Sequence, residues 1–151
     1  MNTKTWPLLL AVVFVSACGS GVAYTPDEGP DTVALRFYEY ISEAKLRGGA
    51  APAREAFKLI SAETSQLNQS QFVEIIKLYP PGFRVELTGT EITDNKALVT
   101  MSYMLPSDFG EYSIDGEVSL DLDPLTNSWK IDFTGENHGL ARADLNGAQG
   151  E

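Results

Sequence analysis

The sequence predicts an α+β domain in which about three helices pack on a four-stranded antiparallel sheet. Three observations predict it. Between Pro30 and Tyr79 apolar residues recur three and four positions apart. From Phe83 onward they alternate with polar ones, and Pro, Gly and Asp-Asn pairs fall between the periodic runs. Helices first and strands afterwards, each strand with one apolar face, is the pattern of a helical layer covering one side of an antiparallel sheet.

Each element follows from local chemistry. Pro30 with Asp31 suits a first helical turn, where a missing N–H is harmless and a carboxylate meets the positive end of the helix dipole. Val33, Phe37, Tyr40, Ile41 and Ala44 then form one stripe, which Gly48-Gly49 ends. Pro52 is expected to open a second, shorter helix with Ala53, Ala56, Phe57 and Ile60 on one side. A third starts near Asn68 or Ser70, carries Phe72, Ile75, Ile76 and Tyr79, and stops at Pro80-Pro81-Gly82. In the first strand Phe83, Val85 and Leu87 alternate with Arg84, Glu86 and Thr88, and Gly89 marks a bulge. Asp94-Asn95 reads as a hairpin turn. Ala97, Val99, Met101, Tyr103 and Leu105 make the apolar face of the second strand, which Pro106 is expected to stop. Tyr112, Ile114, Val118, Leu120 and Leu122 make a third, with Gly116 allowing curvature. Trp129, Ile131 and Phe133 make a fourth after a turn at 124–127, and Trp129 is expected to pack against Phe37.

Length and composition set the outer bounds. The 151 residues suffice for one domain, and 43% hydrophobic with 10% aromatic residues is enough for a real core. Against 21 acidic side chains stand 11 basic ones, a formal net charge of −10. That sign argues against nucleic acid or an anionic lipid surface as the main partner, because binding phosphate takes clustered Lys and Arg. One Cys makes no intramolecular disulfide and no cysteine metal site.

Residues 1–17 read as a secretory signal: Lys4 near the start, an apolar run over 6–15, then small residues. The run is about half the roughly 20 residues needed to span a bilayer. Val15-Ser16-Ala17-Cys18 resembles the bacterial lipobox. The resemblance implies that the Cys18 sulfur receives a diacylglyceryl group, that cleavage falls before it, and that the source is bacterial. The alternative is an ordinary secretory signal, since Ser16 and Ala17 would suit an ordinary signal peptidase too. The lone Cys falls at the one position a lipoprotein requires, and exported proteins seldom keep an unpaired Cys. Two or three acyl chains hold a protein on a membrane where one chain binds marginally. The lipidated Cys and a Gly-, Ser- and Pro-containing tether then occupy 18–29, the folded domain 30–134, and a flexible tail 135–151, with a short helix at 140–145 at most. Gly19 in place of Asp leans, by the same resemblance, towards the periplasmic face of an outer membrane. In an organism with one membrane the expected place is the outer face of the cell membrane.

The order of elements resembles the nuclear-transport-factor-two-like superfamily, a cone-shaped α+β fold also called cystatin-like, and within it bacterial lipoproteins carrying a small domain of unknown function. Three short stretches carry the resemblance: Pro30-Asp31-Thr32-Val33-Ala34-Leu35-Arg36-Phe37-Tyr38-Glu39-Tyr40, Lys96-Ala97-Leu98-Val99-Thr100, and Ser128-Trp129-Lys130-Ile131-Asp132. It implies a long helix across a bent sheet with an apolar pocket at the open end. Relatives use that pocket for isomerisation, dehydration or binding, or use the fold only as a dimerisation scaffold, so fold does not settle function.

Catalytic motifs are scarce. The sequence has no phosphate loop, no Cys-x-x-Cys and no His-Glu-x-x-His, and its one histidine, His138, lies in the tail. Asp121 to Asp123 starts like a calcium loop, but Pro124 and Leu125 follow and the required Gly is missing. No catalytic residue, cofactor or metal is expected, and period-two counting turns Asp132 to solvent. The candidate ligand-binding residues are Phe37, Tyr38, Tyr103, Tyr112 and Trp129, lining a cavity rimmed by tyrosine hydroxyls that suits an apolar ligand with one polar end. Glu111, Asp115, Glu117, Asp121 and Asp123 are all odd-numbered, opposite the even apolar positions, and so line the outer side of one strand. They read as a solvated face that deters strand pairing, or as a docking surface for a cationic partner or a loose divalent-cation site. The expected function is a non-enzymatic small-molecule or peptide binding or scaffold module anchored in the cell envelope through Cys18. An isomerase- or dehydratase-like enzyme and a structural subunit of an envelope complex are the alternatives.

Overall fold

Three helices lie on a four-stranded antiparallel sheet, in the order the sequence predicts: α1 (Pro30–Arg47), α2 (Ala50–Lys58), α3 (Gln69–Leu78), β1 (Arg84–Thr93), β2 (Lys96–Ser107), β3 (Gly110–Asp123) and β4 (Ser128–Ile131). The computed structural model describes residues 26–48 and 50–134. The signal, Cys18 and the expected tail lie outside the described residues. No helix among the described residues is long and apolar enough to cross a membrane.

Caps fix the helix ends. Gly48 adopts the left-handed conformation, φ 65°, and its N–H returns to the Ala44 carbonyl, which ends α1. Asn68 caps α3 in a capping box, its side chain accepting from the Gln71 N–H while the Gln71 side chain accepts from the Asn68 N–H, each at 2.9 Å. In α2 the boundary differs from expectation: the helix begins at Ala50, and Pro52 falls inside its first turn. That position tolerates proline because first-turn N–H groups have no intrahelical partner.

The sheet is a simple meander, β1-β2-β3-β4. Asp94 takes the positive φ, 55°, that the turn between Thr93 and Lys96 requires. The bulge expected at Gly89 is present as a register shift between Leu87 and Gly89. Pro106 does not stop β2, which runs on to Ser107. Its missing N–H is harmless there, because β1 begins only at Arg84, opposite Met104, and no β1 residue stands beside Pro106. At the other side the segment 59–61 closes the edge of β4: the Ser61 N–H reaches the Ile131 carbonyl and the Ile131 N–H the Leu59 carbonyl, both at 2.8 Å.

One core joins the layers. From α1, Val33, Ala34, Phe37, Tyr38, Ile41 and Ala44 are buried, and from β2 every odd-numbered residue between Ala97 and Leu105. Phe37, Phe72 and Phe133 form an aromatic triangle, with centroids 5.5–6.0 Å apart. The ring contact that Trp129 was expected to offer Phe37 is thus made by Phe133, two residues beyond the end of β4. Trp129 itself is buried on β4 opposite Leu122.

Candidate functional site

The interior beside α1 holds three phenols. Tyr38 comes from the buried stripe of α1, Tyr103 from the centre of β2, and Tyr79 caps the C-terminus of α3. The Tyr103 hydroxyl donates to the Tyr38 hydroxyl at 2.9 Å, and their rings meet edge to face at 5.4 Å and 84°. Gly116 makes room for this arrangement: a Cβ there would lie 2.5 Å from Cε2 of Tyr103. Tyr79 lies against Phe83, centroids 5.4 Å apart, and its buried hydroxyl has no hydrogen-bond partner among the described residues.

Burial dominates the chemistry of these phenols. Loss of solvation pushes Tyr38 and Tyr79 far above the ordinary phenol value, and neighbouring phenols add to the shift. Tyr103 is pushed up to about 12, again mainly by burial, while its hydrogen bond to Tyr38 works the other way. All three are therefore neutral near pH 7. The sign of the linkage follows. An unfolded phenol ionises near 10.0, whereas the folded ones keep their protons, so their contribution is intact below pH 10 and declines as pH rises from 10 towards 12. Alkaline unfolding is the expected outcome, with part of the tyrosinate absorbance appearing only as the fold is lost. Full ionisation of every tyrosine at pH 10–11 with the fold intact would contradict this burial.

Next to the phenols, α1 and the start of β1 enclose an open groove of about 510 Å³. Tyr38 and Phe83, both almost fully buried, lie at its floor, and the half-buried Leu35 and Val85 stand on its walls. Glu39, Ser42, Glu43, Arg47 and Arg84 supply the polar part of its lining. Ser42 Oγ donates to the Phe83 carbonyl at 3.0 Å and ties the helix to the strand. Arg84 is held by Glu111 across the sheet at 2.6 Å. Leu46, 63% exposed, stands over the far end.

Of the five candidate ligand-binding residues, Tyr38 lines this groove. Phe37 and Tyr103 join Tyr38 in the interior, with the two tyrosine hydroxyls facing each other. Trp129 borders a different, smaller depression beside Arg36 and the N-terminus of α1, and Tyr112 stands half-exposed on β3. The groove adds Leu35, Glu39, Ser42 and Leu46, which recur at helical spacing as a second stripe on α1. That periodicity was the available signal.

On the opposite face of the sheet the odd-numbered acids of β3 project outward, as the sequence predicts. Glu111 pairs with Arg84, Asp121 with Lys96 at 2.9 Å, and Asp115 accepts from Ser102 Oγ at 2.6 Å. Asp132 lies on this side beside Ser119, but where the sequence turns it to solvent the structure half-buries it, with Oδ1 covered and without a hydrogen-bond partner among the described residues. Among the described residues no group of three His, Cys, Asp or Glu side chains is arranged to hold a metal ion.

No protein-family model matches the chain, and no curated protein is similar to it. Among solved structures the chain is similar to a Campylobacter jejuni protein described as an NTF2-like transpeptidase, with 9% identity, 69% of this chain and 97% of that chain covered, and a TM-score of 0.49. It is also similar to a chain designated Rd1NTF2_05, at 8% identity, 69% and 96% coverage, and a TM-score of 0.44. These likenesses concern backbone architecture. The class the coordinates themselves define is an α+β domain whose long helix and first strand leave an apolar-floored groove.

Proposed function

We propose that this chain is a lipid-anchored, non-enzymatic binding and scaffold module of a bacterial cell envelope, holding an apolar molecule or peptide end in the groove between α1 and β1. One observation carries the reading: the buried rings of Tyr38 and Phe83 border a groove of about 510 Å³ that opens to solvent, with Glu39, Ser42, Glu43, Arg47 and Arg84 supplying the polar part of its lining. That volume and distribution suit a small ligand with an apolar body and one polar end. The phenols buried behind the floor are held neutral by desolvation, so none of them serves as a general base near pH 7. The anchor rests on Val15-Ser16-Ala17-Cys18, and places the domain at a membrane surface.

A thermal-shift screen of steroids, fatty acids, aromatic acids and short peptides tests it, with each stabilising compound recovered and weighed by mass spectrometry. A ligand at a hundred times its dissociation constant adds about 2.7 kcal/mol, or roughly 5–10 °C in the midpoint. The expected result is stabilisation with the compound recovered unchanged. A hit returned as an isomer or a dehydrated product overturns the non-enzymatic reading, and a screen without stabilising compounds overturns the binding one.

A further inference from the structure

The long hairpin of β2 and β3 reaches well past β4. Strand β4 pairs with β3 only from Leu120 to Asp123, and the Asp132 N–H takes the Ser119 carbonyl. Among the described residues no strand pairs with residues 110–118 on the side away from β2. Backbone alternation shows which groups are open. Ser119 turns its carbonyl towards the β4 side, while the Leu122 N–H reaches the Asn95 carbonyl on the β2 side. The pairing of β2 with β3 has no register break, so odd-numbered residues of β3 direct N–H and C=O to the free edge. These are Glu111, Ser113, Asp115 and Glu117, whose side chains also form the acidic outer face. On the inner face of the same edge stand the half-exposed Tyr112 and the partly buried Ile114.

We propose that this edge of β3 takes up an extended segment of a cationic partner protein as an added antiparallel strand, its alternate Lys or Arg residues facing Glu111, Asp115 and Glu117 and its intervening apolar residues facing Tyr112 and Ile114. Residues directly opposite in a hydrogen-bonded pair share a face, so the partner residues that complete the ladder are the same ones that meet the carboxylates. Charge selects this occupant over a second copy of the chain. Antiparallel pairing of two copies about Ile114 would set Glu111 against Glu117, a like-charge contact that destabilises strand pairing. A basic strand replaces repulsion with attraction at every such position. The surface meets the α1–β1 groove at the Glu111–Arg84 ion pair, while Asp115 and Glu117 lie outside the groove's lining.

The test uses the purified full chain and an eight-residue peptide of alternating Lys and Val with blocked ends. Saturable binding is expected, with amide shifts concentrated at residues 111–117. Affinity should fall about tenfold for the variant Glu111→Gln, Asp115→Asn, Glu117→Gln. Methylating the backbone nitrogens of the Lys residues keeps every charge but removes the ladder donors, and should abolish binding. Methylating those of the Val residues should leave it intact. Equal binding of both methylated peptides would reduce the effect to charge attraction and overturn the proposal. So would equal binding of an alternating Glu and Val peptide, or residues 111–117 already protected from hydrogen exchange without peptide, which would mean that the chain itself or a second copy occupies the edge.

Discussion

Phe37→Ala should lower the stability of the folded domain by about 3–5 kcal/mol, the range for emptying a buried aromatic site, and so move the unfolding midpoint by roughly 10 °C or more. The ring has no exposed surface and meets Tyr38 at 5.1 Å, Phe72 at 6.0 Å and Phe133 at 5.9 Å. Those neighbours belong to α1 itself, to α3 and to the chain after β4, so the lost atoms lie where three parts of the fold converge. Collapse into the space is restricted, because Phe72 is also held by Phe57 at 5.7 Å and by Phe133 at 5.5 Å. Thermal unfolding of the two proteins side by side checks it. A midpoint lowered by less than about 2 °C would contradict this packing.

Cys18→Ser is expected to change location altogether. Each buried methylene of an acyl chain contributes about 0.8 kcal/mol to membrane attachment, so losing two or three chains removes the whole of the attachment proposed here. The variant should be either a cleaved protein in the soluble fraction or an uncleaved one retained by its apolar run over 6–15. Fractionation with determination of the N-terminus separates the cases. A cleaved Cys18→Ser protein that still sediments with membranes would contradict lipid anchoring.

Periodicity made the fold legible, and it did so best where one face of an element is fully covered. Ala97, Val99, Met101, Tyr103 and Leu105 alternate in sequence and are the buried positions of β2. The outward acids of β3 were readable for the same reason. Ends were harder to place. Pro106 and Pro52 are breakers by local rule, yet both sit where the lost N–H has no partner to lose: beyond the start of β1, and in the first turn of α2. The groove was less legible than the core. Its wall on α1, Leu35 to Leu46, lies beside the main stripe and is only partly covered, and its other wall is the start of β1, far away in sequence. Alternation tells which face is buried, but not which flank of a helix a distant strand leaves open. The phenol pair shows the same limit. Tyr38 and Tyr103 were candidates as residues, while the contact between their hydroxyls depends on Gly116 letting the Tyr103 ring lie over β3.

Binding without turnover in the α1–β1 groove is the property proposed for this domain. Its most direct measurement is an amide chemical-shift titration of the full chain with the best compound from the thermal screen, repeated with Leu46→Asp. Leu46 is largely exposed, so the substitution should leave the unliganded fold almost unchanged while placing a charge over the groove. The expected result is shifts centred on Leu35, Ser42, Phe83 and Val85, affinity reduced about tenfold or more in Leu46→Asp, and the compound recovered intact. Shifts centred elsewhere, with Leu46→Asp binding as tightly as the parent, would contradict it.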